Sequence, residues 1–306
     1  MQIYRNFSGE LQKLKGSYVS LGNFDGIHVG HSMLIQRCVS EAIINKSPSV
    51  VYTFSPHPEQ ILFPNSFNGY ITSSKLKEQL LKECGVDALI NHPFTKEFSQ
   101  KSAEEFVKDY LVYYLNPKKV FVGFNFSFGK GASGNPQILE KLGEKYGFEV
   151  HREPPINYKD MLISSSKIRK FLEDGDITSA KNMLGYQPII EGKVIPGDQV
   201  GREIGFPTAN LLIEADIILP KQGVYATHIK INGHEYKSIT NIGYKPTFNG
   251  KTLKIETHIL DFSEDIYDKA VQLIFIQRIR DEKKFDSIEE LKQQIVMDVL
   301  KAKSSE

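Results

Sequence analysis

Little in this chain invites the simplest explanations of function. Only 2 cysteines occur in 306 residues. Cys38 and Cys84 fall in helix-like stretches without metal-type spacing, so they read as reduced core thiols. Excess charge is missing as well. Lys and Arg number 38 against 37 Asp and Glu, a formal net charge of +1, so no global basic field points to a nucleic-acid partner. No apolar run approaches the ~18 residues a membrane span needs. Met1–Lys15 has no basic region followed by an apolar one, so no export signal is expected. These absences predict a cytoplasmic protein with neither a membrane nor a nucleic-acid partner. Self-association stays open.

With 40% apolar residues the chain can bury a core, and its length suggests about two domains. Strand-like runs at 18–21, 49–54, 88–91, 119–124 and 148–152 alternate with helix-like ones at 29–45, 74–83, 103–114 and 137–146. Such alternation predicts βαβ units and a parallel sheet whose ligands bind beyond the carboxyl ends of the strands. The texture then changes. Runs at 189–195, 224–231, 236–242, 253–260 and 271–278 are β-branched, partly alternating and separated by Gly, Asn, Asp and Pro. They predict a small antiparallel barrel. From Ser287 to about Ala302, Ile288, Leu291, Ile295 and Leu300 lie near helical spacing, which predicts a terminal helix packed on that barrel. Asp174–Gly185 reads as a turn and a short helix ended by glycine, a natural linker. The expected domains are therefore 1–185 and 186–306.

The most informative stretch is Leu21-Gly22-Asn23-Phe24-Asp25-Gly26-Ile27-His28-Val29-Gly30-His31, a strand-to-helix turn. Gly22, Gly26 and Gly30 allow positive φ or close approach of a ligand, and free N–H groups of the first helical turn make an anion site. His28 and His31, three apart, share one face of the helix start and can donate to oxygens that gain charge in a transition state. Thr53-Phe54-Ser55-Pro56-His57-Pro58 follows the second strand, and its two prolines stiffen the loop that presents His57.

After the strand at 119–124 comes Phe124-Asn125-Phe126-Ser127-Phe128-Gly129-Lys130-Gly131-Ala132-Ser133-Gly134. Its GxGxxG spacing is no dinucleotide fingerprint, because the first turn of the sheet carries the His pair instead. Asn135-Pro136 stands where a Walker A loop needs Lys-Ser/Thr. A flexible glycine loop with one cation and several rings remains. Ile163-Ser164-Ser165-Ser166-Lys167-Ile168-Arg169 opens a helix with cations at the positive end of its dipole, an arrangement that suits a docked polyanion. The SxxK spacing at Ser164 and Lys167 lacks the Ser-Asp-Asn and Lys-Thr-Gly partners of penicillin-recognising enzymes.

Between the first barrel runs lies Gly197-Asp198-Gln199-Val200-Gly201-Arg202-Glu203-Ile204-Gly205-Phe206-Pro207-Thr208-Ala209-Asn210. Thr208 and Asn210 offer two neutral oxygens on one side of an extended chain, a donor set suited to a Mg²⁺ ion that also takes nucleotide oxygens.

Together these motifs resemble the prokaryotic bifunctional riboflavin kinase/FAD synthetase family, from about Gly16 to Val299. GxFDGxHxGH resembles its nucleotidyltransferase box, the loop at 122–129 its Val-Gly-x-(Asp/Asn)-Phe-x-Phe-Gly run, 163–169 its Ile-Ser-Ser-(Thr/Ser)-x-Ile-Arg motif, and GRxxGFPTAN its riboflavin kinase motif. The resemblance implies a Rossmann-like FMN adenylyltransferase domain followed by a riboflavin kinase barrel, acting on riboflavin, FMN and ATP with Mg²⁺ to give FMN and then FAD. It implies catalytic roles for His28 and His31, and for Glu256 in Ile255-Glu256-Thr257-His258 as general base. Nucleotide contacts would come from Gly22, Phe24, Asp25, Gly30, His57, Ser164, Lys167, Arg169, Gly201 and Gly205. Flavin contacts would come from Asn125, Phe126, Phe128 and Arg280, and metal contacts from Thr208 and Asn210. Gly223-Val224-Tyr225, Asn241-Ile242-Gly243 and Lys245-Pro246-Thr247-Phe248 also follow the family. Lys167 stands where Arg is common, and Tyr186-Gln187-Pro188 replaces the usual Arg-Pro-Tyr. A relative with one inactive module, most simply the adenylyl one, and a flavin-sensing binding protein are the alternatives. The His pair and Glu256 weigh against the second.

Overall fold

After the edge strand β1 (Gln2–Tyr4), the run at 18–21 becomes β2 (Tyr18–Leu21), buried at every position in the middle of a parallel sheet. A computed structural model describes residues 1–5, 9–197, 200–214, 216–247 and 250–305, so Asp198, Gln199 and Phe248 of the motifs lie outside the described residues. The first unit continues through α1 (Val29–Ile44), β3 (Ser49–Ser55), α2 (Pro58–Leu62), α3 (Ser74–Glu83) and β4 (Ala88–Pro93). A helical stretch follows, made of α4 (Ala103–Phe106), a π segment (Val107–Val112) and α5 (Tyr113–Leu115). Then come β5 (Lys119–Gly123), α6 (Pro136–Tyr146), β6 (Glu149–Glu153) and the small hairpin β7 (Asn157–Tyr158) and β8 (Met161–Leu162).

The sheet order is β1-β4-β3-β2-β5-β6. From β2 the chain moves outward through β3 and β4, then returns to β5 on the other side of β2. The point where the order reverses lies between β2 and β5, and in sheets of this kind ligands bind beyond the carboxyl ends of the strands at that point. Two of the sequence-flagged segments, the turn after Leu21 and the glycine loop after Gly123, follow directly from those two ends.

Chain contacts place the division between two compact units at Ser164/Ser165, upstream of the 174–185 linker, and assign Gly69–Ser73 to the second unit. That unit comprises α7 (Ser165–Asp174), α8 (Ile177–Leu184), β9 (Ile189–Ile195), α9 (Val200–Glu203), β10 (Ala209–Ile213), β11 (Gly223–Ile231), β12 (His234–Thr247), β13 (Gly250–Ile259), β14 (Ala270–Arg280) and α10 (Ile288–Ser304). Six antiparallel strands close a barrel in the order β10-β13-β12-β11-β14-β9. Alternate residues fill it: Tyr225, Thr227, Ile229, Leu273 and Phe275 point inward. The interior is not wholly apolar. Thr227 bonds Ser238 and Thr240 at 2.8 Å, and Thr240 bonds Thr257 at 2.9 Å, so four buried hydroxyls satisfy one another.

The structure corrects several expectations. β1 was not foreseen; it is three residues long, too short for alternation to show. Five barrel runs were expected and six strands close the barrel, because Ala209–Ile213, read as the end of a loop, pairs with both β9 and β13. In α10, Ile288 and Leu300 are 57% and 63% exposed, whereas Asp298 and Ala302 are buried. The buried polar residue is tolerated because Arg280 pairs with it. Cys84 lies one residue past the end of α3. Among the described residues no helix is long and apolar enough to cross a membrane.

Candidate active sites

The turn after β2 owes its shape to residues in unusual conformations. Phe24, Gly26 and Ile27 have φ of 51°, 79° and 34°. A non-glycine residue held there costs about 1–3 kcal/mol, and burial of Phe24 and Ile27 to 2% exposure offsets it. Only Gly26 of the three glycines serves by positive φ. Gly22 lies under the Phe24 ring, where a Cβ would sit 3.1 Å from it, and Gly30 leaves room for the His28 imidazole, 3.3 Å from where a Cβ would be.

His28 caps α1: its Nδ1 accepts the His31 backbone N–H at 3.2 Å. An accepting Nδ1 in a neutral ring places the proton on Nε2, which is left as the donor. The two rings stack at 3.6 Å between centroids, with the Phe24 ring edge-on to His31 at 5.3 Å. Burial pulls the His28 pKa down to about 4. That of His31 falls well below the ordinary range through burial, then through the charges of His28 and Lys77. Both imidazoles are therefore neutral donors or acceptors near pH 7. His31 Nδ1 is buried without a hydrogen-bond partner.

Asp25, expected among the nucleotide contacts, is 3% exposed. One residue that meets this turn escaped the sequence reading. Lys77 on α3 was not flagged at all, because nothing local separates it from the exposed Lys75. Its Nζ donates to the Asn23 carbonyl at 2.5 Å and to Thr53 Oγ1 at 2.8 Å. Desolvation lowers its pKa to about 8, opposed by the charge of Asp25.

His57 caps α2, its Nδ1 accepting the Glu59 N–H at 3.2 Å, and its ring stacks on Phe67 at 5.6 Å. Because β2 and β3 are parallel neighbours, the His57 loop opens at the same end of the sheet as the His pair.

The glycine loop is not the flexible segment expected. A Cβ at Gly129 would lie 2.7 Å from the Ala103 backbone, and one at Gly134 equally close to the Phe128 ring. Phe128 and Gly134 exchange two backbone hydrogen bonds, of 2.8 and 3.1 Å. Phe128 belongs to the core beside Phe106, so the ring surface expected from it is largely covered. Phe126, half-buried and stacked on Phe128, and the exposed Asn125 are what the loop presents. An aromatic cluster at the carboxyl ends of β3 and β4 was also missed. Half-buried Phe54 and Phe98 flank His92, which bonds Tyr52 Oη through Nδ1 at 2.5 Å, and half-buried Phe94 meets both of those rings edge-on. These rings come from separate segments, and no single stretch announces them.

Of the serine-rich motif, Ser164 closes the first unit, while Lys167 and Arg169 lie on α7 of the second. Lys167 is half-buried. Arg169, expected among the triphosphate contacts, is 8% exposed, and its Nε donates to the Gly69 carbonyl at 2.8 Å. That bond holds the Gly69 segment against α7.

In the barrel, strand register assembles what the sequence scattered. Asn210 on β10 pairs with Glu256 on β13, Glu256 with Asn241 on β12, Asn241 with Val224 on β11, and Val224 with Arg280 on β14. Directly paired residues project to one face. Glu256 thus lies between two amides on the outer face, since its neighbours Ile255 and Thr257 are buried inside. The Asn210 amide rests on Gly197, where any Cβ would collide with it. The loop before it is closed by the Phe206 N–H to the Gly201 carbonyl, 2.7 Å, with Gly205 at φ 88°. His258 Nδ1 donates to the Pro207 carbonyl at 2.8 Å, and the Phe206 ring meets the imidazole edge-on at 5.5 Å. Exposed Thr208 follows directly.

Arg280, expected at the flavin, pairs with a buried carboxylate of α10. Its Nε reaches both Asp298 oxygens at 3.0 and 3.2 Å, its Nη2 reaches one at 2.8 Å, and its Nη1 donates to the Asp281 carbonyl at 3.0 Å. This pair clips α10 to β14. Among the described residues no cluster of three or more His, Cys, Asp or Glu could hold a metal ion by itself.

Comparison with known proteins covers both units. The FAD synthetase family model matches residues 10–167, and the riboflavin kinase model residues 184–305. The bifunctional riboflavin kinase/FMN adenylyltransferase of Escherichia coli is 35% identical over 94% of this chain and 92% of its own. The protein of the same description from Bacillus subtilis is 36% identical over 92% and 90%. A crystal structure from Streptococcus pneumoniae, described as a macrolide-efflux protein, has a TM-score of 0.88 and 33% identity over 95% of this chain and 94% of that one. With both halves matched in order and the identity sustained over nearly the full length, the chain belongs to the bifunctional riboflavin kinase/FMN adenylyltransferase family.

Proposed function

We propose that the chain makes FAD from riboflavin in two ATP-dependent steps, carried by two successive parts of the chain. The observation that carries this reading is the register pairing of Asn210 with Glu256, which sets a carboxylate beside a metal-type amide in the unit that lacks the His pair. We assign residues 1–185 to FMN adenylylation and 186–306 to riboflavin phosphorylation, in the cytoplasm.

In the kinase step the nucleophile is an alcohol. The Glu256 carboxylate takes the proton from the flavin 5′-hydroxyl as its oxygen bonds to the γ-phosphorus of ATP, the bond from that phosphorus to the β-phosphate oxygen breaks, and ADP leaves with FMN as product. Thr208 and Asn210 are neutral oxygen donors without a carboxylate cage around them, a set that fits Mg²⁺ held largely by nucleotide oxygens and water. When bound, that ion supplies charge neutralisation at the phosphates. Gly201 and Gly205 let the loop close over the nucleotide. Arg280, fixed by Asp298, shapes the flavin side of the row.

In the adenylyl step the nucleophile, the FMN phosphate, is already an anion, so positioning and charge stabilisation do the work. Its oxygen bonds to the α-phosphorus of a second ATP as the bond to pyrophosphate breaks. His28 donates from Nε2 to phosphate oxygen, with His31 stacked behind it. Gly22, Phe24, Asp25 and Gly30 shape the turn, and His57 borders the nucleotide. Ser164 faces the triphosphate; Lys167 and Arg169 lie on α7, which Arg169 ties to the Gly69 segment. Asn125, Phe126 and the aromatic wall at Phe54 and Phe98 receive the planar flavin, supported from the core by Phe128.

A chromatographic time course with riboflavin, ATP and Mg²⁺, repeated from FMN, tests the proposal. FMN that appears and gives way to FAD supports it. FMN alone in both runs means an inactive first unit, FAD only from FMN means an inactive barrel, and no product in either leaves a flavin-binding protein.

A further inference from the structure

We propose that Lys77 is a positioning residue of the adenylyl site, holding the turn that carries His28 and His31 in its catalytic shape. The proposal rests on the adenylyl reading above.

Lys77 lies on α3, far in sequence from the turn it meets. Its Nζ donates to the Asn23 carbonyl and to Thr53 Oγ1, and the Thr53 hydroxyl gives its own proton to the same carbonyl at 2.9 Å. One ammonium thus closes a three-cornered clamp over three elements: α3, the carboxyl end of β3 and the β2–α1 turn. The clamped carbonyl belongs to the residue directly before Phe24, the first of the positive-φ positions. A carbonyl with two donors cannot rotate without losing both, so the peptide that starts the turn has one setting.

Lys77 is half-buried, and a packing role alone would be better served by an apolar side chain, since taking an ammonium out of water is unfavourable. The charge is retained at a place where two neutral imidazoles stack and where Asp25 is buried. The electrostatic field of Lys77 also acts on His31, helping to hold that ring neutral. The backbone clamp and this field converge on the same pair of rings.

The test uses the full-length chain and the substitutions Lys77→Met and Lys77→Arg. Each is assayed for FAD from FMN and for FMN from riboflavin, with FMN binding followed by flavin fluorescence. For Lys77→Met, displacing the histidines by about 1 Å predicts a fall in adenylyl kcat of roughly 100-fold. The Kd for FMN and the riboflavin kinase rate should stay at wild-type values. Lys77→Arg, which keeps a donor and a charge, should recover part of the loss. A Lys77→Met chain that makes FAD at the wild-type rate overturns the proposal. So does one that loses FMN binding together with turnover, which would make Lys77 a residue of folding alone. If the wild-type chain makes no FAD from FMN, the adenylyl reading itself has failed, an outcome separate from both.

Discussion

Asn210 and Glu256 face each other as a directly paired position of β10 and β13, and the Asn210 amide rests on Gly197, which has no side chain to obstruct it. The carboxylate of one strand and the amide of the next are thereby held by backbone hydrogen bonds rather than by a mobile loop. This rigidity is what a site needs to keep a base and a metal donor in fixed relation.

Gly197→Ala should therefore act on the kinase step. Its Cβ would occupy the space of the Asn210 amide. A displacement of about 1 Å at a positioned group costs roughly 100-fold in rate. Steady-state assays should show that loss in FMN formation and an unchanged rate of FAD formation from FMN.

The His pair predicts the converse. His28→Ala removes both the Nε2 donor and the cap of α1. Losing one preorganised donor costs about 100- to 1,000-fold, so FAD formation should fall by that factor while riboflavin phosphorylation continues. Gly30→Ala, whose Cβ would stand 3.3 Å from the His28 ring, should give a smaller loss in the same assay.

Acid should weaken the first unit. His28 and His92 each titrate near 4 in the folded chain because burial disfavours the imidazolium, against 6.5 ordinarily. The unfolded chain takes up these protons first, so the contribution is intact above about pH 6.5 and is lost as pH falls toward 4. At pH 5 the loss is on the order of 2 kcal/mol for each histidine. Thermal unfolding followed at pH 7 and pH 5 should show a lower transition at pH 5, and a transition of the first unit that does not move would refute the assignment.

Asp298→Ala should loosen the barrel's terminal helix. Asp298 is 1% exposed and neutralises Arg280. Breaking such a pair from one side costs about 2–4 kcal/mol, because the partner is left without its counter-charge. Urea denaturation of the variant should show that loss, and proteolysis should begin in α10.

Much of this architecture could be read in the sequence, and the reasons for the exceptions are physical. Strands such as Val50–Tyr52 announce themselves because both faces of a parallel sheet are apolar. The HxGH turn was legible because glycines and histidines concentrate in one stretch. Ala209–Ile213 was not, since a short apolar run beside a proline and a glycine-rich loop has no alternation of its own. Lys77 and the aromatic wall around His92 were hidden for another reason: their partners come from distant segments. The intrachain bonds of Arg169 and Arg280 could not be read either, because an arginine's motif does not reveal which carbonyl or carboxylate of its own chain its fork meets.

The most direct measurement assays Glu256→Gln and His28→Ala, each with riboflavin and with FMN as the starting flavin. Glu256→Gln should convert FMN to FAD at the wild-type rate and make no FMN from riboflavin, whereas His28→Ala should make FMN and carry almost none of it on to FAD. One substitution that abolishes both steps, or a Glu256→Gln chain that still phosphorylates riboflavin at the wild-type rate, would contradict the account of two separate sites.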